Sequence, residues 1–192
     1  RHLTIPCEMC IRDSARRDVL GIAQTGTGKT AAFTLPMLTI LETGRARARM
    51  PRTLILEPTR ELAAQVEENF TRYGVNQKLS VALLIGGVSF GDQDAKITRG
   101  VDVLIATPGR LLDHVERGKL LLTGVELLVI DEADRMLDMG FIPDIERVCK
   151  LVPFTRRRCR PRSPASASSS CTIRCVSRSR GQRRRQRPSR NG

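Results

Sequence analysis

Between Asp18 and Val152 the sequence alternates short apolar, β-branched runs with longer segments of helical period. This alternation predicts parallel strands joined by crossover helices, because parallel neighbours need a long connection. Runs such as Leu127–Ile130 are apolar throughout, which indicates helices on both faces of the sheet. We therefore expect a doubly wound α/β fold with a mostly parallel sheet. The predicted strands are Asp18–Ala23, Thr53–Glu57, Leu79–Ile85, Val101–Ala106 and Glu126–Ile130, and the predicted helices are Lys29–Glu42, Arg60–Tyr73, Phe90–Arg99, Arg110–Arg117 and Pro143–Leu151.

Charge divides the chain unevenly. The 192 residues include 33 Lys and Arg against 20 Asp and Glu, a formal charge of +13. Residues 155–192 hold 13 arginines and no acid, so residues 1–154 are neutral overall. This tail has too few large aliphatic side chains to offset its ordering entropy, and we expect it to be disordered. Its Arg, Ser, Pro and Ala content resembles a GC-rich gene translated out of frame, which we favour over an evolved arginine–serine tail.

The remaining segments set limits on the class of protein. Residues 1–16 lack a clear period and are predicted to be irregular, which leaves residues 17–154 as one domain of ordinary size. No run of 18 apolar residues occurs, so a membrane span is not expected. The chain begins without Met and without a charged-then-apolar leader, and we expect a fragment of a cytoplasmic protein.

A glycine-rich loop follows the first predicted strand and opens the first predicted helix. Glycines there let backbone amides turn toward phosphate oxygens, the lysine supplies positive charge to the β- and γ-phosphates, and the threonine hydroxyl is a ligand for Mg²⁺. The pattern therefore predicts a nucleotide site rather than an ordinary turn. Its residues are Ala23, Gln24, Thr25, Gly26, Thr27, Gly28, Lys29 and Thr30.

A second group of polar residues, Asp131-Glu132-Ala133-Asp134, follows a predicted buried strand. Ligand sites of open α/β sheets gather at such carboxyl ends. One carboxylate can hold the Mg²⁺ shell, and its neighbour can orient and deprotonate an attacking water. Alone, the cluster is more often a helix N-cap; paired with the phosphate loop, it favours phosphoryl chemistry.

Together with Ala23–Thr30, four further segments resemble the ordered motif series of DEAD-box ATP-dependent RNA helicases, especially bacterial ones. The resemblance covers about residues 17–154 and implies a RecA-like P-loop NTPase domain, the first of two in that family. The four segments are Pro58–Gln65, Gly86-Gly87, Thr107–Arg110 and Asp131–Asp134.

The resemblance also implies roles for single residues. Lys29 would contact the triphosphate of ATP, Thr30 and Asp131 would serve Mg²⁺, Glu132 would be the general base, and Asp134 would couple nucleotide state to a later motif. The residues implied to touch the backbone of single-stranded RNA are Pro58, Thr59, Arg60, Gly86, Gly87, Thr107, Pro108, Gly109 and Arg110. Each of these groups lies between a predicted strand and a helix start, where amides, hydroxyls and arginines can meet phosphates. By themselves, Thr59 and Thr107 are typical N-caps and Gly86-Gly87 is typical of a turn.

The sequence departs from the family at both ends. Residues 3–14 contain no glutamine, so the resemblance does not extend to the family's adenine-reading motif. After Thr155 the expected strand with its Ser-Ala-Thr motif is missing, which predicts either a gap between the first and last strands of the domain or an adjustment of these two strands. Its absence also leaves Asp134 without its partner. The second RecA-like domain with its arginine fingers is expected but absent. Because such arginines contribute on the order of 10³–10⁵ in rate, we expect this chain alone to be a poor ATPase.

Three functional hypotheses remain open at this point. The first is a fragment of an ATP-dependent RNA helicase, which binds ATP, Mg²⁺ and single-stranded RNA. The second is an RNA-binding module that uses a degenerate nucleotide domain and the basic tail without hydrolysis. The third is a P-loop ATPase acting on another substrate, which fits Pro58–Gln65 and Thr107–Arg110 less well.

Overall fold

The computed structural model describes residues 19–22, 28–153 and 170–175. Six strands form one sheet in the spatial order β1-β6-β5-β2-β4-β3. Strands β5, β2, β4 and β3 are parallel, whereas β6 runs antiparallel to both β1 and β5. The strands are β1 (Val19–Ile22), β2 (Thr53–Leu56), β3 (Val81–Leu84), β4 (Val103–Ala106), β5 (Leu127–Ile130) and β6 (Ser170–Cys175).

Helices cover both faces of this sheet, as the apolar strands predict. Side chains of β2 alternate between the faces: Ile55 packs with α1 and α2, whereas Leu54 and Leu56 pack with the four later helices. A one-turn 3₁₀ helix, Leu122–Gly124, precedes β5. The helices are α1 (Lys29–Leu41), α2 (Arg60–Tyr73), α3 (Phe90–Arg99), α4 (Pro108–Glu116), α5 (Ala133–Asp138) and α6 (Ile142–Leu151).

The predicted elements agree closely with this structure. Helices α2 and α3 have the predicted bounds, and the predicted strands extend past the observed ones by one or two residues. Helix α4 begins at Pro108 rather than at Arg110, because proline fits the first turn, where no amide partner is needed. Helix α5 was not predicted; it is only six residues long, too short for a helical period to show.

Strand β6 differs from two expectations. Residues 170–175 lie in the tail predicted to be disordered, and they occupy the position between β1 and β5 where a gap was expected. Without a strand there, β1 and β5 would each present unpaired amides and carbonyls. Six residues that include Thr172 and Ile173, both β-branched, satisfy these groups from the opposite direction. Residues 1–16 and the rest of the tail lie outside the described residues.

The register brings the carboxyl ends of the parallel strands to one edge. Leu56 pairs with Ala106 on one side and with Ile130 on the other, and Leu84 also pairs with Ala106. The residues that follow these strands therefore meet along one line, which is where open α/β sheets bind ligands. In the described part of the chain, no helix has the length and apolarity needed to cross a membrane.

Candidate functional site

Lys29 and Glu132 form the central contact at this edge. Lys29 Nζ donates to Glu132 Oε1 at 3.2 Å, and the two side chains are 8% and 15% exposed. Lys29 is the first residue of α1, and Gly28 caps that helix in a left-handed conformation, φ 85°. Among the described residues other than its chain neighbours, no atom lies within 4 Å of a Cβ added to Gly28, so its conformation rather than crowding favours glycine. The predicted lysine and the predicted base thus lie together.

The backbone of Glu132 is also in the left-handed region, at φ 50°. Its amide donates to Asp131 Oδ1 at 2.9 Å, and it is the N-cap of α5. A non-glycine residue in this region is held by its surroundings and is common at functional sites. Here this backbone conformation lets the chain pass directly from β5 into α5 while the Glu132 side chain contacts Lys29.

Glu57 is the residue of this site that the sequence analysis missed. It follows β2, beside Asp131, and is 1% exposed; among the described residues its Oε1 has no hydrogen-bond partner. Burial raises the pKa of Glu57 to about 9, Asp131 and Glu132 act in the same direction, and Lys29 opposes them. We call Lys29, Glu57, Asp131 and Glu132 the carboxylate cluster. The signal that could have found Glu57 is a charged residue ending an otherwise apolar strand.

The oxygen donors at and beside the cluster indicate whether Mg²⁺ could bind here. Asp131 is 5% exposed at the end of β5, and Thr30 is partly buried in the first turn of α1. No group of three or more His, Cys, Asp or Glu in the described ranges is arranged to enclose a metal ion. Mg²⁺ usually takes one or two protein ligands and completes its shell with phosphates and water. A carboxylate and a hydroxyl therefore fit Mg²⁺ bound together with a nucleotide.

Arg60 and Gly86-Gly87 lie against each other at the same edge. A Cβ on Gly86 would lie 3.4 Å from Arg60 Nη2, and one on Gly87 would collide with Arg60 Nη1. Gly87 also has φ 79°, so its conformation favours glycine, whereas the exposed Arg60 side chain would have to move away from an added Cβ. Gly87, more than Gly86, thus leaves space for the exposed Arg60 guanidinium, which a simple turn does not require.

Arg110 is held on three sides. Its Nη2 donates to the Val88 carbonyl at 2.6 Å, and its Nε donates to Gln93 Oε1 at 3.0 Å. Its guanidinium carbon lies 3.2 Å from the centre of the Phe90 ring. The Arg117 guanidinium carbon lies 3.6 Å from the same centre, and because one face cannot hold two guanidiniums this close, the two arginines enclose the ring.

His114 is fully buried beside this arrangement. Its Nε2 lies 2.9 Å from Gln93 Oε1 and its Nδ1 lies 3.0 Å from Asp94 Oδ1. Burial lowers the pKa of His114, Asp94 opposes this shift, and Arg110 and Arg117 reinforce it. We call Phe90, Gln93, Arg110 and His114 the arginine bracket.

The other predicted residues are placed as follows. Thr59 is the N-cap of α2, and its Oγ1 accepts from the Leu62 amide at 3.4 Å. Thr107 is the N-cap of α4, without a side-chain bond. Asp134 Oδ1 accepts from the Arg135 amide at 3.0 Å. Pro58 is buried and Gly109 lies in the first turn of α4. Residues Ala23, Gln24, Thr25, Gly26 and Thr27 lie outside the described residues.

Comparison with known proteins decides the family. A sequence profile of the family described as DEAD/DEAH box helicase matches residues 7–176. The chain belongs to the DEAD/DEAH box helicase family. The match is longer than the resemblance found in the sequence, which covers about residues 17–154, and it includes β6.

Relatives from distant organisms support this membership. The chain is 49% identical over 151 residues to the ATP-dependent RNA helicase DeaD of Mycobacterium tuberculosis, which covers 78% of this chain and 25% of that protein. It is 45% identical over 135 residues to the nucleolar RNA helicase 2 of Rattus norvegicus, covering 69% and 17%. The chain thus spans about a quarter or less of the length of these helicases.

Solved structures of DEAD-box proteins share the fold. A hypothetical ATP-dependent RNA helicase from Sulfolobus tokodaii matches with a TM-score of 0.70 and 34% identity, over 79% of this chain and 43% of that one. The yeast DEAD-box splicing factor Prp28 matches with a TM-score of 0.64 and 36% identity, over 69% and 32%. The predicted RecA-like α/β fold is confirmed.

Proposed function

We propose that this chain is the ATP-binding part of an ATP-dependent RNA helicase, and that it binds ATP with Mg²⁺ and the backbone of single-stranded RNA. The observation that carries this proposal is the contact between Lys29 and Glu132. It joins the phosphate loop to the acidic motif at the ligand-binding edge of the sheet. Family membership supports the nucleotide and the RNA, because the relatives are named ATP-dependent RNA helicases.

In this proposal the carboxylate cluster binds the triphosphate. Lys29 leaves Glu132 and donates to the β- and γ-phosphates, while Thr30 and Asp131 hold Mg²⁺ directly or through its waters. The metal, when bound, neutralises charge on the phosphates. Glu132, released from Lys29, accepts a proton from the water whose oxygen bonds to the γ-phosphorus. The bond between the γ-phosphorus and the oxygen that links it to the β-phosphate breaks, and ADP and phosphate leave.

The RNA side of the proposal uses the neighbouring edge. Arg60 and Arg110 present guanidiniums, and the helix starts at Thr59 and Thr107 present amides, which suit phosphates rather than bases. Neither set of donors reads base edges, so we expect little sequence preference.

The alternative, a non-hydrolysing RNA-binding module, rests on a different feature. Residues 155–192 carry 13 arginines and no acid. If all 13 contacted phosphates, the affinity for single-stranded RNA would fall with salt at a logarithmic slope of about −9. RNA bound mainly through Arg60 and Arg110 gives a much smaller slope and depends on the nucleotide.

A binding experiment on the full chain separates these hypotheses. Affinity for a labelled single-stranded RNA is measured at several salt concentrations, with Mg²⁺ and either no nucleotide, ADP or a non-hydrolysable ATP analogue. We expect the analogue to tighten RNA binding and Lys29→Ala to remove this effect. The matched control is Lys150→Ala, since Lys150 is an exposed lysine in the last turn of α6. Nucleotide-independent RNA binding with the steep slope contradicts the helicase proposal and supports the module.

A further inference from the structure

The bonds of Arg110 leave one side of its guanidinium available. Nε and Nη2 are used by Gln93 and Val88, and the Phe90 ring covers one face. In the described part of the chain, no hydrogen bond is made by Nη1, whose two N–H groups can donate to a ligand. The side chain is therefore fixed while retaining donors for a phosphate oxygen.

The orientation of Gln93 explains how Arg110 is fixed. Gln93 is 4% exposed, and its Nε2 donates to the Ile85 carbonyl at 3.0 Å. Because this bond defines the amide's orientation, Oε1 must face the Arg110 Nε at 3.0 Å. Gln93 thus connects the end of β3, where Gly86-Gly87 follows, with the first turn of α4.

His114 completes the same connection from α4. Its Nε2 lies 2.9 Å from Gln93 Oε1, an acceptor already used by Arg110, so Nε2 carries a proton and donates. Asp94, one residue after Gln93 on α3, meets the other ring nitrogen at 3.0 Å. The imidazole thus fastens α4 to α3 through its bond to Gln93, and it is fully buried, where such bonds are strongest. Donation to Asp94 as well requires the protonated ring, since a neutral imidazole has one N–H.

We propose that His114 and Gln93 are positioning residues for RNA binding, which hold Arg110 ready for a phosphate of the RNA backbone. This inference rests on the proposed function, in which Arg110 contacts RNA. An arginine fixed before the ligand arrives loses less side-chain freedom on binding, so its support adds affinity without touching RNA. The carboxylate cluster lies outside the bracket, so nucleotide affinity is not expected to change.

The test is a double-mutant cycle on RNA affinity of the full chain. We expect His114→Ala to weaken RNA binding roughly threefold to tenfold, the size usual for coupled neighbours, and to add no loss in an Arg110→Ala background. Binding of a nucleotide analogue should stay the same in every variant. The basic tail contributes equally to all four proteins and cancels from the cycle.

Conservative variants distinguish positioning from simple packing. His114→Gln can place an amide N–H near the position of Nε2 and should restore most of the affinity, whereas His114→Asn is too short and should not. Leu112→Ala is the control, since Leu112 is also buried on α4 but packs in the apolar core. If Leu112→Ala weakens RNA binding as much as His114→Ala, the positioning role is wrong.

A spectroscopic readout follows Arg110 directly. In ¹⁵N-labelled protein the Nε–H signal of Arg110 should exchange slowly with water, and His114→Ala should speed this exchange while His114→Gln should not. If Arg110→Ala weakens RNA binding but His114→Ala leaves both the affinity and this signal unchanged, the inference fails and the proposed function stands. If Arg110→Ala itself has no effect on RNA affinity, the proposed RNA contact and the inference fail together.

Discussion

The carboxylate cluster and the arginine bracket lie at the same edge of the sheet but differ in how their charged groups are surrounded before a ligand binds. The cluster brings three carboxyl groups around one lysine, all of them buried or nearly so. The bracket surrounds one arginine with a carbonyl, an amide and an aromatic ring. The first arrangement is electrostatically incomplete by itself, whereas in the second the arginine is already held in place before any ligand binds.

This difference indicates how each region responds to a ligand. Glu57 is held with a pKa of about 9, and Lys29 is paired with Glu132, so the cluster must rearrange its charges when phosphates and a cation enter. Arg110 needs no rearrangement, because Gln93, Val88 and the Phe90 ring already fix its guanidinium and no hydrogen bond from Nη1 is made among the described residues. We therefore expect substitutions in the cluster to change stability and nucleotide binding together, and substitutions in the bracket to change RNA binding while nucleotide binding stays the same.

The largest effect is expected for Lys29→Ala. Removing the lysine leaves Glu132 and its neighbours without their cation, which should lower the free energy of unfolding by about 3 kcal/mol, the low end for a broken buried pair. Nucleotide affinity should fall roughly 10-fold to 150-fold, the value of a hydrogen bond to a charged group. Urea unfolding and titration with a fluorescent nucleotide measure both changes.

Lys150→Ala controls for the loss of a lysine in a helix, because Lys150 is exposed in the last turn of α6. It should change neither quantity by more than about 0.5 kcal/mol. If Lys29→Ala reduces nucleotide affinity without lowering the free energy of unfolding, the carboxylates of the cluster do not depend on Lys29 in the free chain. The expected difference between the cluster and the bracket would then be wrong.

Glu57→Gln should have the next largest effect, and in the opposite direction. The folded state holds the Glu57 proton up to about pH 9, whereas the unfolded state releases it near 4.5. The stability from this group is complete below pH 4.5 and is lost as pH rises toward 9. Glutamine cannot ionise, so Glu57→Gln should stabilise the chain by about 1–2 kcal/mol at pH 7 and flatten its pH dependence.

Unfolding by urea at several pH values between 5 and 9 tests this expectation. Glu68→Gln is the matched control, since Glu68 is exposed on α2 and should keep the pH dependence of the unchanged chain. An equal pH slope in Glu57→Gln and the unchanged chain would show that Glu57 ionises normally when folded, contrary to the buried site described above.

The contrast also separates what the sequence could predict from what it could not. Lys29 and Asp131 were predicted because a strand followed by a loop and a helix defines where they lie, whatever the details of packing. Arg110 was also predicted, but the residues that hold it were not, because they depend on how α3 packs against α4, and the pattern of a single helix carries no information on the helix it packs against. β6 was missed for a related reason: its pairing with β1 and β5 comes from the unpaired edges of distant strands rather than from its own composition.

Gly87→Ala tests the contact between Gly87 and Arg60, and we expect a moderate effect. The residue has φ 79°, and an added Cβ would collide with Arg60 Nη1, so stability should fall by about 1 kcal/mol and Arg60 must move. RNA affinity should fall while nucleotide affinity stays the same. In Gly91→Ala, in the first turn of α3, the added Cβ would lie 3.7 Å from Ser89 Oγ, an ordinary contact, so this control should be neutral or slightly stabilising. Equal losses of RNA binding in both variants would remove the role given to Gly87.

The smallest effect is expected from acidification of the bracket. Burial lowers the pKa of His114 in the folded chain, Asp94 on α3 opposes this, and Arg110 and Arg117 on α4 and just after it add to it. The unfolded state therefore binds the proton more readily, so this group's contribution to stability is present above pH 6.5 and is lost as pH falls toward the lower folded value. His114→Gln should flatten that part of the profile, opposite in sign to the slope from Glu57. If acidification instead stabilises the chain in this range, His114 is held as an imidazolium by Asp94, and the bracket carries a buried ion pair like the cluster rather than contrasting with it.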